Sequence, residues 1–250
     1  MTLDLSNWPP VLVVAVMGLV TALATGLGAI PFLFLRRINE RMVARADTLA
    51  AGLMLGASFG LLQEGRHHGM AQTIIGGLIG AAFIVVGERM LADREVNFGE
   101  VSGAGAKEIL LLLGVMTLHS FSEGVAVGVA FGGGQQLATL ITVAIAIHNI
   151  PEGLAISAVM YPKGTSVLRC AGWSIFSSLP QPLMAVPAFL FVEWFRPVLP
   201  YGLGFAAGAM VFMVLFEILP EAYESLGRAS VGLHVSIAFG AMVLFQQLVG

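Results

Sequence analysis

The sequence predicts an all-α membrane protein with eight transmembrane helices and both termini outside the cytosol. Of its 250 residues, 57% are hydrophobic and only 11% are charged, whereas a soluble domain carries about 25% charged residues. The mean hydropathy is +0.90, and the apolar residues gather in runs near the ~20 residues that a helix needs to cross a bilayer. Because a backbone in lipid must satisfy its own hydrogen bonds, each run is expected to be helical.

Eight apolar runs follow one another along the chain, and each is long enough for one crossing. They cover residues 11–35, 47–64, 70–93, 106–131, 136–160, 165–193, 198–221 and 229–249. The connections are short, so neighbouring helices are expected to be antiparallel. Residues 1–250 should therefore form a single transmembrane domain, whose longest connection is a loop at 93–106.

The distribution of basic residues sets the predicted orientation. Ten of the twelve Lys and Arg residues fall in or beside the odd-numbered connections: Arg36, Arg37, Arg41, Arg45, Arg89, Arg94, Lys107, Lys163, Arg169 and Arg228. Only Arg66 and Arg196 fall in the even-numbered ones. Since cytosolic loops are enriched in Lys and Arg, the odd connections are predicted to be cytosolic. The expected location is the inner cell membrane, crossed many times.

Span five carries a polar motif in the middle of its apolar run, His-Asn-Ile-Pro-Glu-Gly at 148–153. Residues four apart share a helix face, so His148 and Glu152 point the same way. Span four repeats this spacing with His119 and Glu123. Ionisable residues at this depth are costly and mark functional sites by default. Two imidazoles and two carboxylates predict a metal site between the two helices, suited to zinc and also to iron(II), manganese, cobalt or cadmium.

Each pair also has a simpler explanation, namely a hydrogen bond between buried polar groups of two helices. Two copies on adjacent spans make this explanation less favoured. The two carboxylates would also repel each other without a cation or protons between them. The glycines that follow the glutamates, Gly124 and Gly153, are expected to let neighbouring helices approach closely.

Weaker candidates lie elsewhere in the chain. Gln181, between two prolines of span six, could offer its carbonyl oxygen to a cation or fill a helix break as a satisfied amide. Met54 in span two has a soft thioether, although methionine in an apolar helix is usually packing. Glu217, near the end of span seven, could pass a cation to the cytosol or be a solvated helix end. His67 and His68, in an external loop, could gather metal.

The chain resembles the ZIP (Zrt-, Irt-like protein) family of zinc and iron permeases, in its bacterial form, over most of its length. The motif at 148–153 is the most specific match. Supporting matches are Ala-Ala-Gly-x-Met-Leu at 50–55, Ser-x-x-Gln-Pro at 178–182, and Gly-Ala-Met-Val-Phe at 208–212 followed by Pro-Glu-Ala at 220–222. The resemblance implies a ZIP-like fold that moves a divalent transition metal, zinc first, into the cytosol by alternating access. A homodimer is common among such proteins.

The resemblance further implies two adjacent metal positions. The first would use Met54, His119, Glu123, His148 and Glu152, and the second would add Ser120, Asn149 and Gln181 to the two bridging glutamates. The family usually has Asn or Asp at position 120, Pro at position 122 and Glu at position 181, so this chain departs from its pattern. Two nearby dications need anionic bridges to offset their repulsion. We therefore expect one metal to bind tightly and a second weakly or not at all.

The main alternative is a zinc-dependent intramembrane hydrolase, in which the metal would activate water. Peptidases of this kind commonly use His-Glu-x-x-His, which the sequence lacks. A light-sensing or ligand-sensing helical bundle is a third class, but no lysine lies inside a span to hold retinal. The expected partners are metal ions and the lipid bilayer, with no nucleic acid and no catalytic cofactor. One cysteine, Cys170, excludes an internal disulfide.

Overall fold

A computed structural model describes residues 8–35, 38–92 and 104–249, and within these ranges the chain is helical apart from short connections. The described helices are α1 (Pro10–Leu27), α2 (Glu40–Ala92), α3 (Ala104–Gly133), α4 (Gln135–Met160), α5 (Val167–Ser178), α6 (Pro180–Trp194), α7 (Leu199–Met213), α8 (Leu219–Ser225) and α9 (Arg228–Val249). A π-helical turn, Val214–Ile218, joins α7 to α8. Most of the predicted loop at 93–106, with Arg94, and the basic pair at 36–37 lie outside the described residues.

Seven helical stretches in the described part of the chain are long and apolar enough to cross a bilayer. In this count α5 and α6 form one stretch, and so do α7, the π turn and α8. Such a set of apolar helices is what a multi-pass membrane protein requires. The difference from the eight predicted spans lies in α2, which covers two of them.

The long helix α2 folds sharply at Gly69. Its 53 residues would measure about 80 Å as a straight helix, more than twice the thickness of a bilayer's hydrocarbon core. The backbone leaves helical geometry at Gly69, where φ is 159° and ψ is 103°. A Cβ at Gly65 would lie 2.7 Å from the side chain of Thr73, although in a straight helix these residues would be about 12 Å apart. The fold separates the predicted spans at 47–64 and 70–93.

Prolines coincide with interruptions in two later stretches. The α-helix breaks at Leu179, between α5 and α6, because Pro180 has no N–H to donate to the preceding turn. This confirms the predicted break in span six and places Gln181 in the first turn of α6. The π turn immediately precedes α8, whose second residue is Pro220, and turns of this kind are frequent at functional sites.

Glycines bring the helices in the middle of the bundle into backbone contact. A Cβ at Gly153 would lie 1.7 Å from the carbonyl oxygen of Thr25 in α1, and one at Gly124 would lie 2.6 Å from that of Gln181 in α6. No side chain fits at either position without moving a backbone, which confirms the predicted close approach. Helices α1, α3, α4 and α6 therefore pack around one buried polar region.

Candidate metal centre

A one-residue connection joins α3 to α4 and sets their polar residues against each other. The connecting residue, Gly134, has a φ of 127°, a conformation that favours glycine. Across the hairpin, Glu123 Oε1 lies 2.8 Å from His148 Nε2. Glu152 follows His148 by one helical turn, and the three side chains offer ligand atoms that all lie within 4.8 Å of one another. All three are buried, so the hairpin builds a compact polar centre inside an apolar bundle.

The three side chains form a donor set suited to a dication. Two carboxylates and a neutral imidazole carry two negative charges, and zinc accepts both donor types. Glu152 Oε1 is buried and has no hydrogen-bond partner in the described part of the chain. An unpartnered acceptor in a dry interior is costly, and a cation among the three ligands would remove that cost.

A network of amides holds Glu123 from the other side. Gln181 Nε2 donates to Glu123 Oε2 over 2.6 Å, and Asn149 Nδ2 donates to Gln181 Oε1 over 3.1 Å. Asn149 Nδ2 also donates to the carbonyl oxygen of Thr21 in α1 over 2.8 Å. Both amide atoms of Gln181 thus already have protein partners, whereas Asn149 Oδ1 is buried without a hydrogen-bond partner among the described residues. The close approach at Gly124, next to Glu123, is what lets the first turn of α6 reach the centre.

His119 is not among the three side chains whose ligand atoms converge, although it lies one helical turn before Glu123 on α3. Its Nε2 lies 2.6 Å from Glu217 Oε2 in the π turn, and the Glu88 carboxyl of α2 is within hydrogen-bonding reach of Glu217. This group joins α3 to α2 and to the π turn that follows α7. A role for His119 as a ligand of the first metal therefore stays a prediction.

The remaining predicted residues are buried or paired in other ways. Met54 is fully buried in the hydrophobic core that α2 shares with α3 and α4. Ser120 is buried, and its Oγ lacks a hydrogen-bond partner among the described residues. His68 Nε2 lies 2.9 Å from Glu64 Oε1 on the exposed surface of α2. Ligand roles for Met54 and Ser120 also stay predictions.

Sequence reasoning does not identify three contributors to the region in their observed roles. The sequence offers Glu217 as a handover group or a solvated helix end, and the structure pairs it with a buried histidine. The signal for Glu88 is that an ionisable residue in an apolar run of span length marks a functional site. The sequence does not indicate the Thr21 carbonyl, because every residue has this main-chain group.

The chain is similar in sequence to known zinc transporters. A sequence model of the ZIP zinc transporter family matches residues 97–246. The chain is 44% identical, over 94% of its length, to a candidate zinc transporter of Arabidopsis thaliana, but it spans only 38% of that protein. It is 31% identical to the zinc transporter GufA of Myxococcus xanthus, with 84% of this chain and 88% of the relative covered. It is also 31% identical to the zinc transporter ZIPB of Bordetella bronchiseptica, with 91% and 78% covered.

Proposed function

The chain belongs to the ZIP zinc transporter family, and from this premise we propose that it carries a divalent transition metal, zinc first, into the cytosol. The observation that carries the proposal is the convergence of Glu123, His148 and Glu152 in a buried centre. The relatives are named as transporters and not as enzymes, so the metal at this centre is proposed to be cargo. No observation favours a hydrolase.

In the proposed topology the chain crosses the inner membrane eight times, because α2 crosses once on each side of Gly69. The sharp fold at that residue supports this count. With the basic connections in the cytosol, both termini are external, and the centre on α3 and α4 lies near the middle of the membrane. A membrane potential that is negative inside favours inward movement of a dication by about 4.6 kcal/mol per 100 mV.

Alternating access requires two groups of helices that move against each other, and the packing suggests which they are. Helices α1, α3, α4 and α6 pack around the centre, whereas α2 packs most extensively on α7 and α9. The contact between His119 and Glu217 joins the two groups. We assign the first group to carry the metal and the second to form the wall past which it moves. A homodimer is compatible with this arrangement and stays a prediction.

The proposed centre holds one metal tightly. The Gln181 amide N–H donates a hydrogen bond to Glu123, at the place where the family pattern puts a negatively charged ligand. A neutral amide there adds no charge to offset the repulsion between two dications. The amide oxygen that could have served as a ligand accepts from Asn149 instead. A second metal is therefore expected to bind weakly or not at all.

The proposal is tested by zinc uptake into proteoliposomes. Glu123→Gln removes one charge from the centre and is expected to lower the affinity for zinc by at least about 10- to 100-fold, the loss typical when a supporting group of a metal site is removed. The matched control is Glu193→Gln, the same chemical change in an exposed ion pair with Arg196, and it should leave uptake unchanged. Uptake that survives in Glu123→Gln with wild-type affinity would remove the central claim. Competing iron(II), manganese, cobalt and cadmium in the same assay would rank the cargo.

A further inference from the structure

A cavity of about 400 Å³ lies away from the polar centre, between α2 and α7 on one side and α3 and α6 on the other. Tyr201 supplies the only polar side chain among the described residues that line it. Its volume falls within the range of about 300–1,000 Å³ that is typical of small-molecule sites. The proposed transport function assigns no role to it.

The cavity lies toward the side of the bundle where α3 and α6 end and α7 begins. On α6 its lining extends from Met184 to Val192, and on α7 it lies in the N-terminal half. On α3 the wall includes Val125 and Val129, two and six residues after Glu123, which is about 3 and 9 Å further along the helix. On α2 it follows the fold at Gly69, with Gly76 and Ile79. In the predicted orientation this level is the outer half of the membrane.

The cavity opens onto the surface that faces lipid. Two of its lining side chains, Ile79 and Phe191, are 54% and 56% exposed, and both lie in stretches long enough to cross the bilayer. Just beyond the lining residues of α6, Trp194 is 81% exposed, and exposed tryptophan is typical of the level of the lipid headgroups. The cavity is thus continuous with the interface between the protein and the hydrocarbon of the bilayer.

We propose that this cavity binds an acyl chain of a phospholipid from the outer leaflet. Water is a poor occupant, because an ordered water needs two to four polar partners. An empty space of this size would forfeit the dispersion contacts of its lining atoms. A helix of another protein is too wide to enter, since its diameter with side chains is about 10–12 Å. A hydrocarbon chain matches the apolar side chains that line the cavity. The bilayer at the opening of the cavity supplies such chains.

The surroundings of the mouth also indicate which headgroups are compatible. The basic group nearest in sequence is Arg196, whose guanidinium donates to the carbonyl oxygen of Gly132 and to Glu193 Oε1. Because its charge is already balanced by Glu193, the site has no evident requirement for an anionic headgroup. The acyl chain, and not the headgroup, is the recognised part.

The test uses the full chain in phosphatidylcholine vesicles that contain a phosphatidylcholine with a photoreactive diazirine on one acyl chain. After irradiation, labelled residues are identified by mass spectrometry. Val129 and Val192 line the cavity but are only 2% and 1% exposed, so lipid on the outer surface cannot reach them. Adducts at both are expected. Leu78, which is 68% exposed on α2, reports ordinary surface lipid and should be labelled in every sample.

A variant whose cavity is filled by a larger side chain tests whether the adducts depend on the cavity. Ala188→Leu adds a bulky side chain to a lining position and should abolish the adducts at Val129 and Val192 while those at Leu78 remain. Ala241→Leu makes the same change at an exposed position of α9 and should leave all adducts unchanged. Labelling of Leu78 alone in the wild type, or unchanged labelling in Ala188→Leu, would overturn the proposal. If Ala188→Leu does not fold, the presence or absence of adducts at Val129 and Val192 in the wild type decides whether the proposal stands. The assay involves no metal, so its failure leaves the proposed transport function untouched.

Discussion

Replacing Gln181 by glutamate would put a second carboxylate against that of Glu123. The wild-type amide donates to Glu123 Oε2 over 2.6 Å, and both side chains are fully buried. Losing a hydrogen bond to a charged group costs about 1.5–3 kcal/mol. Two like charges about 4 Å apart add a repulsion of about 4 kcal/mol at the effective dielectric typical of protein sites. With both carboxylates ionised, the metal-free variant should therefore be about 6 kcal/mol less stable, a large part of the 5–15 kcal/mol available to a typical domain. A proton shared between the two carboxylates reduces this loss.

Zinc should reverse much of this loss, because the new carboxylate restores the anionic bridge that a second dication needs. Each additional site filled at 100 times its dissociation constant returns about 2.7 kcal/mol. Thermal unfolding in detergent, with and without zinc, is expected to show a larger zinc-induced increase in Tm for Gln181→Glu than for the wild type. Equilibrium dialysis should give one tightly bound zinc per wild-type chain and two per variant chain.

The matched control for this substitution is Gln246→Glu. Gln246 Nε2 donates to the carbonyl oxygen of Gly56 over 2.7 Å, so the variant loses a comparable hydrogen bond without facing another carboxylate. It should lower stability modestly and leave the zinc stoichiometry at one. Two tightly bound zinc ions in the wild type, or one in Gln181→Glu, would refute the reasoning.

Two further predictions concern packing and movement. Gly153→Ala would place a Cβ 1.7 Å from the Thr25 carbonyl oxygen and should cost at least about 1–3 kcal/mol, as overpacking of a core does. Gly232→Ala, where nothing lies within 4 Å of the added Cβ, should stabilise its helix by up to about 1 kcal/mol, and equal Tm values for the two variants would contradict the close approach. For the pair that joins the two groups of helices, His119→Gln and Glu217→Gln should have non-additive effects on zinc uptake, with a coupling of about 0.5–3 kcal/mol. Strictly additive effects in the double variant would show that the pair does not act as a unit.

Much of the fold follows from local properties of the sequence. Runs of apolar residues near 20 in length predict crossings whatever surrounds them, and the prolines of span six predict the break at Leu179 because proline lacks an N–H. The spacing of His148 and Glu152 fixes their common face, since a helix turns once every 3.6 residues. The sequence also predicts a connection between the two spans that α2 covers. It does not predict that the chain makes this connection at Gly69 without a loop.

The sequence by itself determined that this is a membrane protein with imidazoles and carboxylates in the middle of two apolar helices. Only the tertiary structure decided which of those groups meet. Glu123, His148 and Glu152 converge on one centre. His119 contacts Glu217 instead, and Gln181 donates a hydrogen bond to Glu123. The physical reason is that residue spacing fixes the direction of a side chain on its own helix. The contacts between helices depend on their relative rotation and depth, which the backbone contacts at glycines such as Gly124 and Gly153 set.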